Sequence, residues 1–107
     1  MRISGRLSHR GVRLRLLSVD APRGSHVLVR CDGRSCPYRT SARTTGRVRL
    51  RAFEKPLRAG VTVRIYVTSR TAIGKYTIFK IRRGAAPSRA DACLMPGSRK
   101  PVSCPRG

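Results

Sequence analysis

The sequence predicts an all-β fold, an antiparallel β-sandwich of about seven short strands with an irregular, disulfide-closed C-terminal tail. Three observations predict it. The stretch Gly60 to Gly84 reads as two long strands joined by a short connection holding Gly74. In the first of them Val61, Val63, Ile65 and Val67 alternate with Thr62, Arg64, Tyr66 and Thr68. That period of two belongs to a strand with one face on a core and the other in water. Glycine- and proline-containing turns punctuate the rest of the chain at strand-length intervals, and no stretch carries a helical period. Four cysteines flank a tight loop and a Pro-rich tail, where staples are placed in small domains.

At 107 residues the chain is one domain, read as a sandwich over residues 1–84 and a Pro-rich tail over residues 85–107 packed on it. A domain of this size buries roughly two-thirds of its unfolded surface, so its stability without staples is marginal. The net charge of +21 adds self-repulsion at low salt. Of the 25 basic residues 21 are Arg and 4 are Lys, while Asn, Gln and Trp are absent. Codon bias in a GC-rich genome accounts for Arg over Lys but not for the scarcity of acids, because such genomes encode Asp and Glu readily. Only Asp20, Asp32, Glu54 and Asp91 occur. An anionic partner follows as an expectation.

Taken in order, Arg2 to Ser8 is a short first strand. In Val12 to Val19 the apolar positions Val12, Leu14 and Leu16 give way to Leu17 and Val19 in the opposite phase, which predicts a bulge near Leu16 and Leu17. Ala21-Pro22-Arg23-Gly24 reads as a turn, and Ser25 to Cys31 as a third strand with Val27, Val29 and Cys31 on one face. Asp32-Gly33-Arg34-Ser35 is a tight reversal between Cys31 and Cys36, and Tyr38 to Arg43 a weak edge strand. Gly46 to Phe53 alternates with Val48, Leu50 and Ala52 inward and Arg47, Arg49 and Arg51 outward. Leu57-Arg58-Ala59-Gly60 then resembles the L-x-[AP]-G corner of immunoglobulin-like and fibronectin-type sandwiches, in which the Leu plugs the core and the Gly turns the chain.

The strand Lys75 to Arg82 changes phase between Ile78 and Phe79, which predicts a bulge or a residue buried on each side. After Gly84 come Pro87, Pro96, Pro101 and Pro105, which argue against a regular strand, and Ser88 to Asp91 has the outline of a capping box starting one helical turn. Four cysteines allow three pairings. Their spacing favours two local bridges, Cys31 to Cys36 and Cys93 to Cys104. A zinc site is the competing reading, but C-x₄-C is followed only by C-x₁₀-C, so the second knuckle is missing and no metal ligands are assigned.

No phosphate loop, dinucleotide glycine pattern or nucleophile elbow is present, the four acids are scattered, and His9 and His26 are the only imidazole bases. The chain therefore reads as non-enzymatic, with no catalytic residues, no cofactor and no evident small-molecule substrate. Arg13, Arg15, Arg30, Arg47, Arg49, Arg51, Arg64, Lys80 and Arg82 fall on outward positions, for most of which a solvated face is the plain explanation. The residues assigned to polyanion contact are Arg47, Arg49 and Arg51, as a ladder on one strand face, together with Arg64 and Tyr66. With five aromatic residues in all and no basic recognition helix, sequence-specific nucleic-acid reading is not expected.

VRCDGRSCPYR (Val29 to Arg39), LRAGVTVRIYVT (Leu57 to Thr68), IGKYTIFKIRRGAAPSR (Ile73 to Arg89) and CLMPGSRKPVSC (Cys93 to Cys104) together resemble an uncharacterised basic domain. It occurs in envelope or secreted proteins of GC-rich Gram-positive bacteria. The resemblance implies an immunoglobulin-like sandwich behind an N-terminal membrane or signal segment, and no established activity. No apolar run here reaches the roughly 18 residues of a membrane span, and MRISGRLSHRG lacks a signal-peptide core, so an excised mature domain is expected. The resulting expectation is an extracytoplasmic, secreted or envelope-attached module that contacts anionic polymer: cell-wall phosphates, acidic glycans or extracellular DNA. An intracellular nucleic-acid-binding β-barrel and a structural or assembly subunit are the alternatives. Oligomeric state is not readable from the sequence.

Overall fold

The computed structural model describes residues 2–8, 10–37 and 40–105, with Arg2, Ser8, Arg15, Arg23 and residues 40–49 described by their backbone alone. The predicted residue Tyr38 lies outside them. The strands are β1 (Arg2–Ser8), β2 (Gly11–Asp32), β3 (Thr40–Arg49), β4 (Pro56–Arg58), β5 (Thr62–Thr68), β6 (Gly74–Arg82), β7 (Ala85–Leu94) and β8 (Pro101–Val102), with a 3₁₀ turn at Arg51–Phe53. All pairings are antiparallel, so the fold is all-β as the alternation predicts. No helix among the described residues is long and apolar enough to cross a membrane.

β2 organises the molecule. Its first half pairs with β1 and with the short β4, its second half with β5, and β3 runs along both halves. The strand order β1-β2-β5-β6-β7-β8 is thereby curled into two facing leaves. The bulge predicted near Leu16 is found one position earlier: Ser4 pairs with Leu16 and Gly5 with Leu14, leaving Arg15 as the extra residue. That extra residue lets both Leu14 and Leu17 be buried. Ala21 to Gly24 corrects the sequence reading, since the chain does not reverse there. Ala21 pairs with Gly46 and His26 with Thr44 of the same β3, so the residues between form a bend within one long strand. Gly24, at φ 83°, supplies the left-handed backbone that the bend needs.

Two further expectations are corrected. Gly46 to Phe53 is not one strand: β3 ends at Arg49, and the 3₁₀ turn that follows buries Phe53 and exposes Ala52. A large aromatic thus reaches the core where continued alternation would have placed a methyl group. Residues 85–94, expected to be irregular, form the regular strand β7 along β6. Pro87 is tolerated because it falls at the register shift between the pairs Lys80–Ser88 and Arg82–Ala85, where a missing N–H costs no ladder bond.

The core is filled from both leaves by Leu14, Leu17, Val27, Val29, Phe53, Leu57, Val63, Ile65 and Phe79. Leu57 is buried opposite Val12, and Gly60, at φ 95°, turns the chain into β5. Ile78 and Phe79 resolve into one residue on each face, with Phe79 in the core and Ile78 half-buried outside. Both local bridges form. Cys31–Cys36 closes the reversal after β2, and Cys93–Cys104 ties the end of β7 to the segment beyond β8.

Candidate anion-binding face

Residues paired across antiparallel strands share a face, so the register of β2, β5, β6 and β7 fixes what their outer surface displays. One rung is Leu28, Tyr66, Tyr76 and Ala92; the next is Arg30, Arg64, Ile78 and Ala90; the third is Asp32, Thr62, Lys80 and Ser88. Arg30 and Arg64 therefore stand directly opposite each other. Like charges in that position repel, and the surroundings relieve each differently. Arg64 Nη1 donates to Asp32 Oδ2 at 2.8 Å. The Arg30 guanidinium lies 5.6 Å from the centre of the Tyr66 ring, within cation–π range.

Tyr66 is held on its other flank by Tyr76, with ring centres 5.0 Å apart and planes tilted by 56°. Tyr66 is itself buried, at 8 % exposure, so its ring is already occupied and is not an open platform for a base. Lys80 is exposed one rung from Arg64. The face thus offers three cations, one of them half-neutralised by Asp32, on a rigid floor of Tyr66, Tyr76 and Ile78.

The predicted ladder divides differently. Arg47 is opposite Asp20 and Arg49 opposite Ser18 in the β2–β3 register, and their side chains are outside the described set. Arg51 has left the strand for the 3₁₀ turn, where it is exposed. The three arginines are therefore not in register on one strand face, because the chain turns inward at Leu50 to bury Phe53. Arg64 and Tyr66 do share the outer face of β5.

Sequence reasoning missed a second polar cluster on the opposite face of β6 and β7. Thr77 Oγ1 donates to Asp91 Oδ1 at 2.6 Å, and Arg89 Nε donates to Asp91 Oδ2 at 3.1 Å. The Thr77 hydroxyl chiefly, and the Arg89 guanidinium after it, hold the Asp91 carboxyl below its ordinary value of 3.8 against an opposing desolvation. These residues line a cleft of about 520 Å³ between the leaves, with Asp20, Lys75 and Ile65. The only signal for them in the sequence was the alternation Arg89, Asp91, Cys93, which the flanking prolines obscure.

A group whose folded pKa is lowered stabilises the fold above its unfolded value, and that contribution is lost as pH falls through the folded value. The Asp91→Asn variant is therefore expected to lose less stability than the parent on acidification below about pH 4. Urea midpoints between pH 6 and the acid limit, on the order of pH 2, check this; parallel curves would remove Asp91 from the acid response.

Among the described residues no group of three or more His, Cys, Asp or Glu is placed to hold a metal ion, and no free cysteine is found. The chain matches no protein-family model, no curated protein and no solved structure.

Proposed function

We propose that this protein is a non-catalytic, extracytoplasmic module of the cell envelope, an immunoglobulin-like sandwich whose basic surface holds anionic polymer. The observation that carries the reading is the direct opposition of Arg30 and Arg64, with Lys80 one rung away, in a chain of net charge +21. Opposed guanidinia cost stability in the free protein, and a bridging phosphate, sulfate or carboxylate relieves that cost. The Leu57 plug and the Gly60 turn support the immunoglobulin-like assignment, and the two bridges support an oxidising compartment. A flat cationic face without a recognition helix binds by releasing counterions, so cell-wall phosphates, acidic glycans and extracellular DNA are the expected partners as a class.

The test is the salt dependence of binding to heparin and to inorganic polyphosphate. Replacing Arg30, Arg64 and Lys80 together by Ser is expected to flatten the slope of log affinity against log salt by up to about 3 on polyphosphate. The matching triple at Arg47, Arg49 and Arg51 reports on the other cationic stretch. If neither triple changes the slope, both surfaces drop out and the polyanion reading fails.

A further inference from the structure

The curled strand path does not close. Each strand from β1 through β2, β5 and β6 to β7 is hydrogen-bonded to the next, but among the described residues no pairing joins β7 back to β1. Among the described residues β1 pairs with β2 alone, and β7 pairs with β6 alone except at Cys93 and Leu94, where β8 is added. Between the two open edges lies a cleft of about 400 Å³ floored by Ile3, Leu7, Val12, Leu14 and Phe79, with Pro87 and the charged Arg89 on its β7 wall. Leu7 is 56 % exposed there although it pairs with the buried Val12 and belongs to the same inner face.

Two open strand edges over an apolar floor suit an inserted strand. Backbone N–H and C=O groups of β1, and of β7 beyond Pro87, are there for an extended chain to pair with, the Ala86 carbonyl being taken by Arg82 Nε at 2.8 Å, and the floor receives every second side chain. A hydrocarbon chain would fill the floor but leave both rows of backbone groups unmatched.

Charge selects among extended chains. Arg6 is opposite Arg13 on the exposed side of β1 and β2, and Arg82, the last residue of β6, and Arg83, in the turn before β7, are exposed. A second copy would bring a further +21 against this rim and be repelled. We propose that the seam between β1 and β7 docks an extended acidic segment of a partner protein. In that segment β-branched residues alternate with Asp or Glu, the apolar ones facing Leu7 and Phe79 and the acidic ones lying on the outer side beside Arg6 of β1. β1 spans seven residues, so the inserted strand is roughly 23 Å long.

The experiment uses the whole disulfide-bonded chain at about 300 mM NaCl, where contacts made by charge alone are weakened. Three probes are titrated: a capped peptide of about nine alternating Glu and Val residues, the same peptide N-methylated at every second residue, and an oligoglutamate of equal charge. The Glu-Val peptide is expected to bind about tenfold tighter than either control. It is also expected to slow amide exchange in both β1 and residues 85–92. Leu7→Ser, at an exposed position and with an unchanged circular dichroism spectrum, should weaken it about fivefold.

Equal binding of the three probes, no binding, protection of one edge only, or an unaffected Leu7→Ser variant each overturns the proposal. Protection of both edges that rises with protein concentration in the absence of peptide would assign the seam to a second copy instead. Laurate shifting Leu7 and Phe79 resonances without amide protection would assign it to an acyl chain. Heparin binding by the Leu7→Ser variant should stay at the parent level, which separates this site from the anion-binding face.

Discussion

Reduction of both bridges is expected to unfold the protein at low salt and leave it folded, or recoverable, at high salt. In the loop-entropy model the closed loops of about 6 and 12 residues stabilise by about 2 and 3 kcal/mol, together about 5 kcal/mol. A domain of this length has a total stability of about 5–15 kcal/mol, so both bridges together are comparable with its lower end. The net charge of +21 subtracts from the remainder, and most strongly when the Debye length is about 30 Å, near 0.01 M salt. Thermal melts with and without reductant, at that salt and near 1 M, check this. A variant with Ser at Cys31, Cys36, Cys93 and Cys104 should repeat the result without reductant. The Cys31 position is the harsher of the two bridge sites for a hydroxyl, because it is fully within the core cluster while Cys104 is exposed. Superimposable melts would mean that the core alone carries the fold.

Phe53→Ala is expected to cost about 3–5 kcal/mol, among the largest losses from a single truncation in this core. Phe53 is fully buried, and the segment that carries it is fastened along β2. Leu50 N–H donates to the Leu17 carbonyl at 2.7 Å, Leu14 N–H to the Lys55 carbonyl at 3.1 Å, and Leu17 N–H to Glu54 Oε2 at 3.3 Å. These bonds hold the backbone in place, so a cavity left by the ring has little room to collapse and the upper part of the range applies. Urea denaturation measures the effect. Arg51→Ala, two residues away and exposed, should stay within about 0.5 kcal/mol of the parent. A loss at Phe53 no greater than at Arg51 would show that the 3₁₀ turn is not docked on the core.

These two predictions also show what could and could not be read from the chain. β5 was legible because its apolar residues keep a strict period of two; in β6 the change of phase between Ile78 and Phe79 left a bulge and burial on each side both open, and the register of its neighbours decides for the second. The local bridges were legible because short spacing leaves few geometries. Phe53 was not, because residues 47–52 alternate Arg with apolar side chains past the point where the strand stops at Arg49, and Phe53 then falls in the outward phase of the arginines; its burial is decided by docking of the turn along β2. β7 was hidden by Pro87, whose position in a bulge depends on the register of its partner. The opposition of Arg30 to Arg64 is a property of the pairing of β2 with β5, strands separated in the chain by β3, the 3₁₀ turn and β4, which no single segment encodes.

The bend in β2 has a consequence for how the chain reaches and leaves its native state. Since β2 forms hydrogen bonds with β1 and β4 through its first half and with β5 through its second, and β3 pairs with both halves, the two leaves are built on a shared pair of strands. Non-local pairings of this kind raise the contact order and slow folding into the millisecond-to-second range of about 100-residue β domains. Once formed, they bind the two leaves into one cooperative unit with no half-unfolded intermediate to populate. Backbone amides on either side of Gly24 should therefore exchange with a common free energy, the global one, as a single foldon.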